Sequence, residues 1–168
     1  MNTREPGALS SISSGTPRGA SPVDTLRVMR PADYPALCEL WNSVPGFNRG
    51  LRSLDDSEAG IHRFLKRNPQ TCFVAEIDNK IIGGILAGHD GRRGYIYHAI
   101  VLPEFQGRGI GKQLTNAACD ALRAEGIHRA GMLVFASNEH GNGFWESQGW
   151  QTRPDLTYRN KSLNDENR

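Results

Sequence analysis

The most informative stretch of the sequence reads Leu102-Pro103-Glu104-Phe105-Gln106-Gly107-Arg108-Gly109-Ile110-Gly111-Lys112. It follows a β-rich run and leads into apolar residues at helical spacing, so it is a glycine-rich turn between a strand and a helix. Glycine accepts positive φ and lets a ligand come close to the backbone. The first turn of a helix also carries unpaired N–H groups and the positive end of the helix dipole. With Arg108 and Lys112 beside them, these features predict a site for a phosphorylated ligand.

Two common phosphate-binding motifs do not fit this turn. A P-loop requires GxxxxGK[ST], but Gln106 stands at the first glycine position and Gln113 replaces the Ser or Thr. A dinucleotide fingerprint requires GxGxxG, and Lys112 replaces its third glycine. A plain turn without a ligand is the alternative, although four of the six residues 106–111 are glycine or arginine.

On both sides of the turn the chain alternates between strand-like and helix-like patterns. Apolar periodicity predicts helices at 31–43, 53–68, 110–125 and 142–148, and strands at 26–29, 71–77, 81–87, 95–102, 132–135 and 150–161. We expect the second helix to begin with a capping box formed by Ser53 and Asp56. This order of elements indicates an α/β protein with a mixed sheet and helices on both faces.

The composition suits one folded domain. The chain has 168 residues, of which 38% are hydrophobic, and no apolar run approaches the roughly 20 residues of a membrane-spanning helix. A formal net charge of +2 is too small to indicate binding to nucleic acid or to an anionic membrane. Residues 1–24 are rich in Ser, Gly and Pro and are predicted to be a flexible tail, 25–162 to be the domain, and 163–168 to be a second tail.

The three cysteines are predicted to be free thiols. Cys38, Cys72 and Cys119 form no CxxC pair and lie among apolar neighbours. Free thiols favour a reducing compartment, so we expect a cytoplasmic protein. The histidines lack partners at metal-ligand spacing, and no metal site is predicted.

A resemblance to a known family emerges from these residues. The stretch Gln106-Gly107-Arg108-Gly109-Ile110-Gly111 matches the (R/Q)xxGxG motif of the GNAT superfamily of acyl-CoA-dependent N-acyltransferases. Asn138 and the run Phe144-Trp145-Glu146-Ser147-Gln148-Gly149-Trp150 resemble a later segment of that superfamily in spacing. The likeness extends over about 26–161. It implies a three-layer fold whose central sheet is mostly antiparallel and holds a splayed pair of parallel strands.

The resemblance also implies an activity. Acetyl-CoA would be the co-substrate, and its acetyl group would pass directly to a primary amine of a small molecule or of a protein N-terminus. A non-catalytic acyl-CoA-binding sensor is the alternative. No nucleic-acid, membrane or metal partner is expected, and a homodimer formed through the last strands is left open.

Cofactor-binding residues follow from the matched motifs by position. The resemblance implies that the backbone of Ile100, Val101 and Leu102 lines the pantetheine arm, with an N–H of Val101 or its neighbour as an oxyanion donor. It implies that Asn138 contacts the cofactor from the end of the next strand. The pyrophosphate would be bound by the glycine turn, which comprises Gln106, Gly107, Arg108, Gly109, Ile110, Gly111 and Lys112.

Candidates for proton transfer lie on the strand before the turn. His98 is the candidate base, because imidazole titrates near neutral pH, although a hydrogen-bonded structural histidine is the alternative. Strict alternation places Tyr95 and Tyr97 on one face and His98 on the other, unless a bulge redirects His98. Trp145 stands where many relatives have a tyrosine acid, and an indole cannot serve. Tyr97 or Tyr158, or solvent, would then protonate the thiolate, unless activity has been lost.

The acceptor site is expected beside the loop after the first predicted helix. Phe47 and Arg49 in this loop, together with Tyr95, are the candidate substrate-binding residues, although an ordinary exposed loop is the alternative for the first two. Trp41 lies on the apolar stripe of its helix and is assigned to the core.

Overall fold

A computed structural model describes residues 23–168. The predicted N-terminal tail, 1–24, lies outside these residues except for Val23 and Asp24. The domain boundaries therefore stay a prediction.

The sheet has five strands in the order of the chain. They are β1 (Thr25–Val28), β2 (Phe73–Ile77), β3 (Lys80–His89), β4 (Gly94–Val101) and β5 (Ala130–Met132). Each neighbouring pair is antiparallel except β4 and β5, which are parallel. The prediction of a mixed, mostly antiparallel sheet with one parallel pair is thus confirmed.

Within residues 23–168, three α-helices lie between strands and a fourth follows β5, and three single-turn 3₁₀ helices accompany them. The helices are α1 (Tyr34–Ser43), α2 (Glu58–Arg67), α3 (Ile110–Ala124) and α4 (Glu139–Ser147). The 3₁₀ turns are Pro31–Asp33, Phe47–Gly50 and Pro103–Phe105. No helix within 23–168 is both long and apolar enough to cross a membrane.

Adjacent glycines in β3 show that the helices cover both faces. A Cβ built on Gly84 would lie 3.2 Å from Leu37 of α1, whereas one built on Gly83 would lie 3.1 Å from Leu114 of α3. Because successive Cβ directions in a strand point to opposite faces, α1 and α3 pack on opposite sides of the sheet. The core between these layers consists of aliphatic side chains with almost no exposure, including Leu37, Val74, Ile82, Ile85, Ile110 and Leu114.

The predicted start of the second helix is wrong by a turn. The N-cap is Ser57, whose Oγ accepts a hydrogen bond from Gly60 N at 3.1 Å. Ser53 instead donates its hydroxyl to the carbonyl of Glu166. Asp56 cannot complete a box with Ser53, because its carboxylate is bound elsewhere, as described below.

The strand predicted at 150–161 is absent, since residues 151–162 have no regular secondary structure. Two features explain the difference. Pro154 has no N–H for a sheet ladder, and the apolar residues of this segment, Leu156 and Tyr158, are exposed rather than packed. The chain returns to the domain at its end, where Asn167 Oδ1 accepts hydrogen bonds from the N–H groups of Leu54 and Asp55.

Candidate active site

The edge of β4 that faces β5 is paired over only part of its length. The two strands pair only from Gly94↔Ala130 to Ile96↔Met132. Beyond that point β4 continues to Val101, and no strand of residues 23–168 pairs with it on this side.

The hydrogen-bond pattern with β3 decides which groups line this gap. Leu102 N donates to Ile82 O at 2.9 Å, so Leu102 is bonded to the β3 side. Antiparallel ladders alternate, and Ile100 therefore also bonds toward β3, while Ala99 and Val101 direct their backbone groups toward the gap. Of the three residues predicted to line the pantetheine arm, only Val101 presents its N–H there.

The glycine turn ends in a row of backbone donors. Gly107 and Gly109 adopt φ of 74° and 83°, conformations that favour glycine, and α3 begins at the next residue. The first helical bond runs from Gln113 N to Gly109 O. Within the described chain, no N–H of residues 107–112 donates to a backbone carbonyl. Free N–H groups at a helix N-terminus are able to bind an anion, and the pyrophosphate site on these residues stays a prediction.

Two polar side chains of the turn donate hydrogen bonds to nearby backbone carbonyls. Gln106 Nε2 donates to Val101 O at 2.9 Å and so ties the turn to the last residue of β4. Arg108 lies with its guanidinium 5.0 Å from the centre of the Phe105 ring and donates to the carbonyl of Glu104. Lys112 is exposed.

The start of α4 borders this region. Asn138 is the N-cap of α4, and its Oδ1 accepts a hydrogen bond from Gly141 N at 2.9 Å. A Cβ built on Gly111 would lie 3.3 Å from the Phe144 ring, so α4 packs against the first turn of α3. The predicted role of Asn138 in cofactor binding stays a prediction.

A β-bulge redirects the candidate base. Leu86 pairs with His98, but the next residue of β3, Ala87, pairs with Ile96, which leaves Tyr97 as the extra residue. As a result the side chains of Tyr97 and His98 both lie on the face of the sheet that α1 and α2 cover. The Tyr97 ring packs on Phe64 of α2 with centroids 5.2 Å apart, and the His98 ring lies 5.5 Å from Trp41 of α1.

His98 has a charged partner that the sequence patterns did not reveal. Its Nε2 lies 2.7 Å from Oδ1 of Asp56, and the two side chains are only 16% and 13% exposed. Asp56 is 42 residues away in the chain. No local motif connects the two residues, which is why sequence reasoning missed the contact.

The loop after α1 reaches across the open edge. The Phe47 ring stacks on Trp41 and meets His98 edge-on at 5.8 Å. Arg49 places its guanidinium 5.2 Å from the centre of the Phe135 ring, which belongs to the chain after β5. The two candidate substrate residues therefore connect β4 to the segment beyond β5. Trp41 is 3% exposed, as its assignment to the core predicted.

Two tyrosines border the bulge. The Tyr95 and Tyr97 rings lie 4.9 Å apart and line a cavity of about 390 Å³ with Phe64 and Arg67. Burial raises the pKa of both phenols, so both remain protonated and able to donate at neutral pH. Tyr97 is half exposed and lines this cavity.

A comparison with protein families assigns the chain. The model of the acetyltransferase (GNAT) family matches residues 34–150, which include the glycine turn, the bulged strand and α4. The chain belongs to this GNAT family. Two curated relatives agree: Acetyltransferase ECA0875 of Pectobacterium atrosepticum is 31% identical over 83% of this chain and 96% of its own length, and Acetyltransferase YE1169 of Yersinia enterocolitica is 30% identical over 76% and 88%.

Solved GNAT structures share the fold. PaiA N-acetyltransferase from Thermoplasma acidophilum, solved with coenzyme A, superposes with a TM-score of 0.67 at 19% identity and covers 77% of this chain and 90% of that one. The aminoglycoside acetyltransferase AAC(6')-Iy, solved with a bisubstrate analogue, gives a TM-score of 0.62 at 19% identity over 82% and 98%. At these identities the likeness concerns the fold.

One position departs from the GNAT pattern in a way that affects the chemistry. Trp145 is half-buried between Phe144 and Trp150, with ring centroids 4.9 and 5.4 Å away. It therefore packs as an aromatic side chain and supplies no acid. Among residues 23–168 there is also no group of three His, Cys, Asp or Glu side chains arranged to hold a metal ion.

Proposed function

We propose that this GNAT protein is an acetyl-CoA-dependent N-acetyltransferase that acetylates a primary amine directly. One observation carries the proposal: the open edge of β4 runs from the anion site at the start of α3 to His98 on the bulge. A long cofactor with a pyrophosphate at one end and a thioester at the other fits these two points. The overall reaction is R–NH₃⁺ + acetyl-CoA → R–NH–CO–CH₃ + CoA–SH + H⁺.

Acetyl-CoA binding is assigned to backbone groups. The N–H groups of residues 107–112 would bind the pyrophosphate, and the gap beside Ala99 and Val101 would hold the pantetheine arm. The N–H of Val101 is available to donate to the thioester oxygen as negative charge develops there. Lys112 adds positive charge at the mouth of the site.

His98 is the proposed general base. An alkylammonium with a pKa near 10 is only about 0.1% neutral at pH 7, which costs roughly 4 kcal/mol. The imidazole can take the ammonium proton, and the amine then attacks the thioester carbon. The C–N bond forms, the C–S bond breaks with its electron pair on sulfur, and the second proton of the nitrogen passes to water as the amide forms.

The leaving thiolate needs a proton, and Tyr97 is the proposed donor. It lies at the bulge beside His98 and holds its phenol protonated at neutral pH. A thiolate with a pKa near 8.5 is also a tolerable leaving group, so water is an alternative proton source.

The acceptor is proposed to be an amine of a small molecule or of a protein N-terminus. Proteins of the same fold include aminoglycoside acetyltransferases and a ribosomal-protein-alanine N-acetyltransferase, so both classes belong in a test. We place the reaction in the cytoplasm, which the free thiols Cys38, Cys72 and Cys119 support.

Two measurements test the proposal. Calorimetric titration with acetyl-CoA, with ATP and NAD as controls, should give micromolar binding to acetyl-CoA alone. A thiol-release screen with neamine, sisomicin and an alanine-initiated peptide should then give turnover, which His98→Ala should abolish or make independent of pH. Tight binding without turnover on any amine would favour the acyl-CoA sensor, and no binding would refute the proposed site.

A further inference from the structure

His98 is held both by a hydrogen bond to Asp56 and by the packing of two aromatic rings. Nε2 of His98 lies 2.7 Å from Oδ1 of Asp56, which is the length of a charge-assisted hydrogen bond. The rings of Trp41 and Phe47 enclose the imidazole at 5.5 and 5.8 Å. Phe47 has no side-chain hydrogen-bonding group, and the indole N–H of Trp41 forms no hydrogen bond to the imidazole in the structure.

Asp56 is itself held in place from three directions. Its second carboxylate oxygen, Oδ2, accepts a hydrogen bond from Arg52 N at 2.6 Å, and its own N–H donates to Arg52 O. Its carbonyl accepts the hydroxyl of Tyr34 at 3.1 Å. The next residue, Ser57, is the N-cap of α2. The carboxylate is therefore fixed relative to the helix and to the strand.

This arrangement decides which nitrogen of His98 is basic. An ionised carboxylate only accepts hydrogen bonds, so Nε2 of His98 must carry the proton. In the neutral ring the lone pair then lies on Nδ1. Nδ1 of His98 forms no hydrogen bond with any group of residues 23–168, and no buried side-chain nitrogen or oxygen of these residues lacks a partner, so Nδ1 is not fully buried. The ring therefore keeps a proton acceptor, Nδ1, in addition to the nitrogen that bonds to Asp56.

We propose that Asp56 is a positioning residue for the acetyl transfer: it holds neutral His98 in the tautomer whose Nδ1 accepts the proton of the amine, and it stabilises the imidazolium that results. This inference rests on the proposed function, because it specifies which ring nitrogen of His98 accepts the proton when His98 acts as the base. In this role Asp56 acts only through the imidazole.

The neighbouring acids provide matched controls. Asp55 precedes Asp56 directly, but its carboxylate accepts a hydrogen bond from Asn167 Nδ2 at 2.6 Å and is exposed. Glu58 is the first residue of α2, and its carboxylate lies 3.9 Å from Nε2 of His62. Asp55→Asn removes the same charge from the same loop without touching His98.

The test reads the tautomer directly, without an acceptor amine. In protein labelled with ¹⁵N-histidine, the two ring-nitrogen shifts of His98, assigned by their loss in His98→Gln, should show a protonated Nε2 and an unprotonated Nδ1. Asp56→Asn is nearly isosteric and should mix the tautomers, because an amide offers both a donor and an acceptor. Asp55→Asn should leave both shifts unchanged.

Kinetics on the same proteins test the consequence. With the most active amine of the thiol-release screen, Asp56→Asn should lower kcat about 10- to 100-fold with an unchanged KM for acetyl-CoA, and Asp56→Glu should restore part of it. Unchanged ring shifts in folded Asp56→Asn, or changed shifts with an unchanged kcat, would overturn the proposal. If His98→Gln also keeps full activity, the proposed base fails as well, whereas full activity in Asp56→Asn alone overturns only the role of Asp56.

Discussion

Two glycines at opposite ends of α3 allow the anion site to be tested against a matched control. Gly109 before the helix and Gly126 after it have φ of 83° and 77°, and a Cβ built on either would meet no atom within 4 Å. A side chain at either position thus causes backbone strain without a clash. The left-handed conformation costs a non-glycine residue about 1–2 kcal/mol.

The two positions differ only in what lies beside them. Gly109 is in the row of free N–H groups, whereas Gly126 ends the helix on the other side. A glutamate in place of Gly109 would bring a negative charge against a bound pyrophosphate. At a separation of about 4 Å, each pair of charges costs about 1 kcal/mol in water and about 4 kcal/mol near a protein surface. Two phosphate charges therefore cost at least about 2 kcal/mol, or roughly 30-fold in Kd.

The experiment measures stability and affinity on the same proteins. Gly109→Glu and Gly126→Glu should each lower the free energy of unfolding in urea by about 1–2 kcal/mol, slightly less at Gly109, where the helix dipole favours an acid. Only Gly109→Glu should lose affinity for acetyl-CoA in calorimetry. Wild-type affinity in folded Gly109→Glu would remove the glycine turn as the site. An equal loss in Gly126→Glu would show that helix stability, and not charge at the anion site, governs binding.

Three further predictions follow from the contacts of single side chains. Burial raises the pKa of Cys72 to about 12, so native Cys72 should resist iodoacetamide at pH 8 and react after unfolding; peptide mapping that finds native Cys72 alkylated would contradict this burial. Although burial alone would raise the pKa of Asp33, hydrogen bonds from Arg27 and Arg30 hold it below its ordinary value. Arg27→Met should therefore lower the free energy of unfolding by about 2–4 kcal/mol at pH 7. The stabilisation from a depressed carboxylate pKa is complete above the unfolded value near 3.9 and is lost as the pH falls through the lower folded value, so this loss should be smaller in urea unfolding at pH 3. An equal loss at both pH values would refute it. Tyr97→Phe should lower kcat about 10- to 100-fold in the thiol-release assay at unchanged stability, because the ring is half exposed; an unchanged kcat would assign proton delivery to Tyr158 or to water.

Local chemistry explains why much of the fold was predictable. Pro103 after a β-rich run, the glycines of the turn and Gly126 mark where β4 ends and where α3 begins and ends, and the structure places these boundaries within a residue or two. The starts of α4 and α2 differ from the prediction: α4 begins at Glu139, three residues before the predicted start, and α2 begins after Ser57 instead of Ser53. At the start of α2, two serines with similar capping ability lie four residues apart. The choice of Ser57 depended on where the side chain of Asp56 found a partner.

The last strand failed for a related reason. A strand forms only where a neighbouring strand supplies hydrogen-bond partners. The last strand before this segment, β5, is only three residues long. The alternating pattern around Leu156 and Tyr158 could not reveal that no partner would be present.

The sequence by itself determined the row of free backbone donors before α3, because positive φ at Gly107 and Gly109 and the free N–H groups of a first helical turn are properties of a few consecutive residues. Only the tertiary structure decided the chemistry around His98. The bulge that turns it depends on the register of β4 against β3, and its bond to Asp56 depends on how the loop before α2 packs over the sheet. Contacts between residues 42 positions apart arise from the packing of whole elements, and a local pattern carries no trace of them.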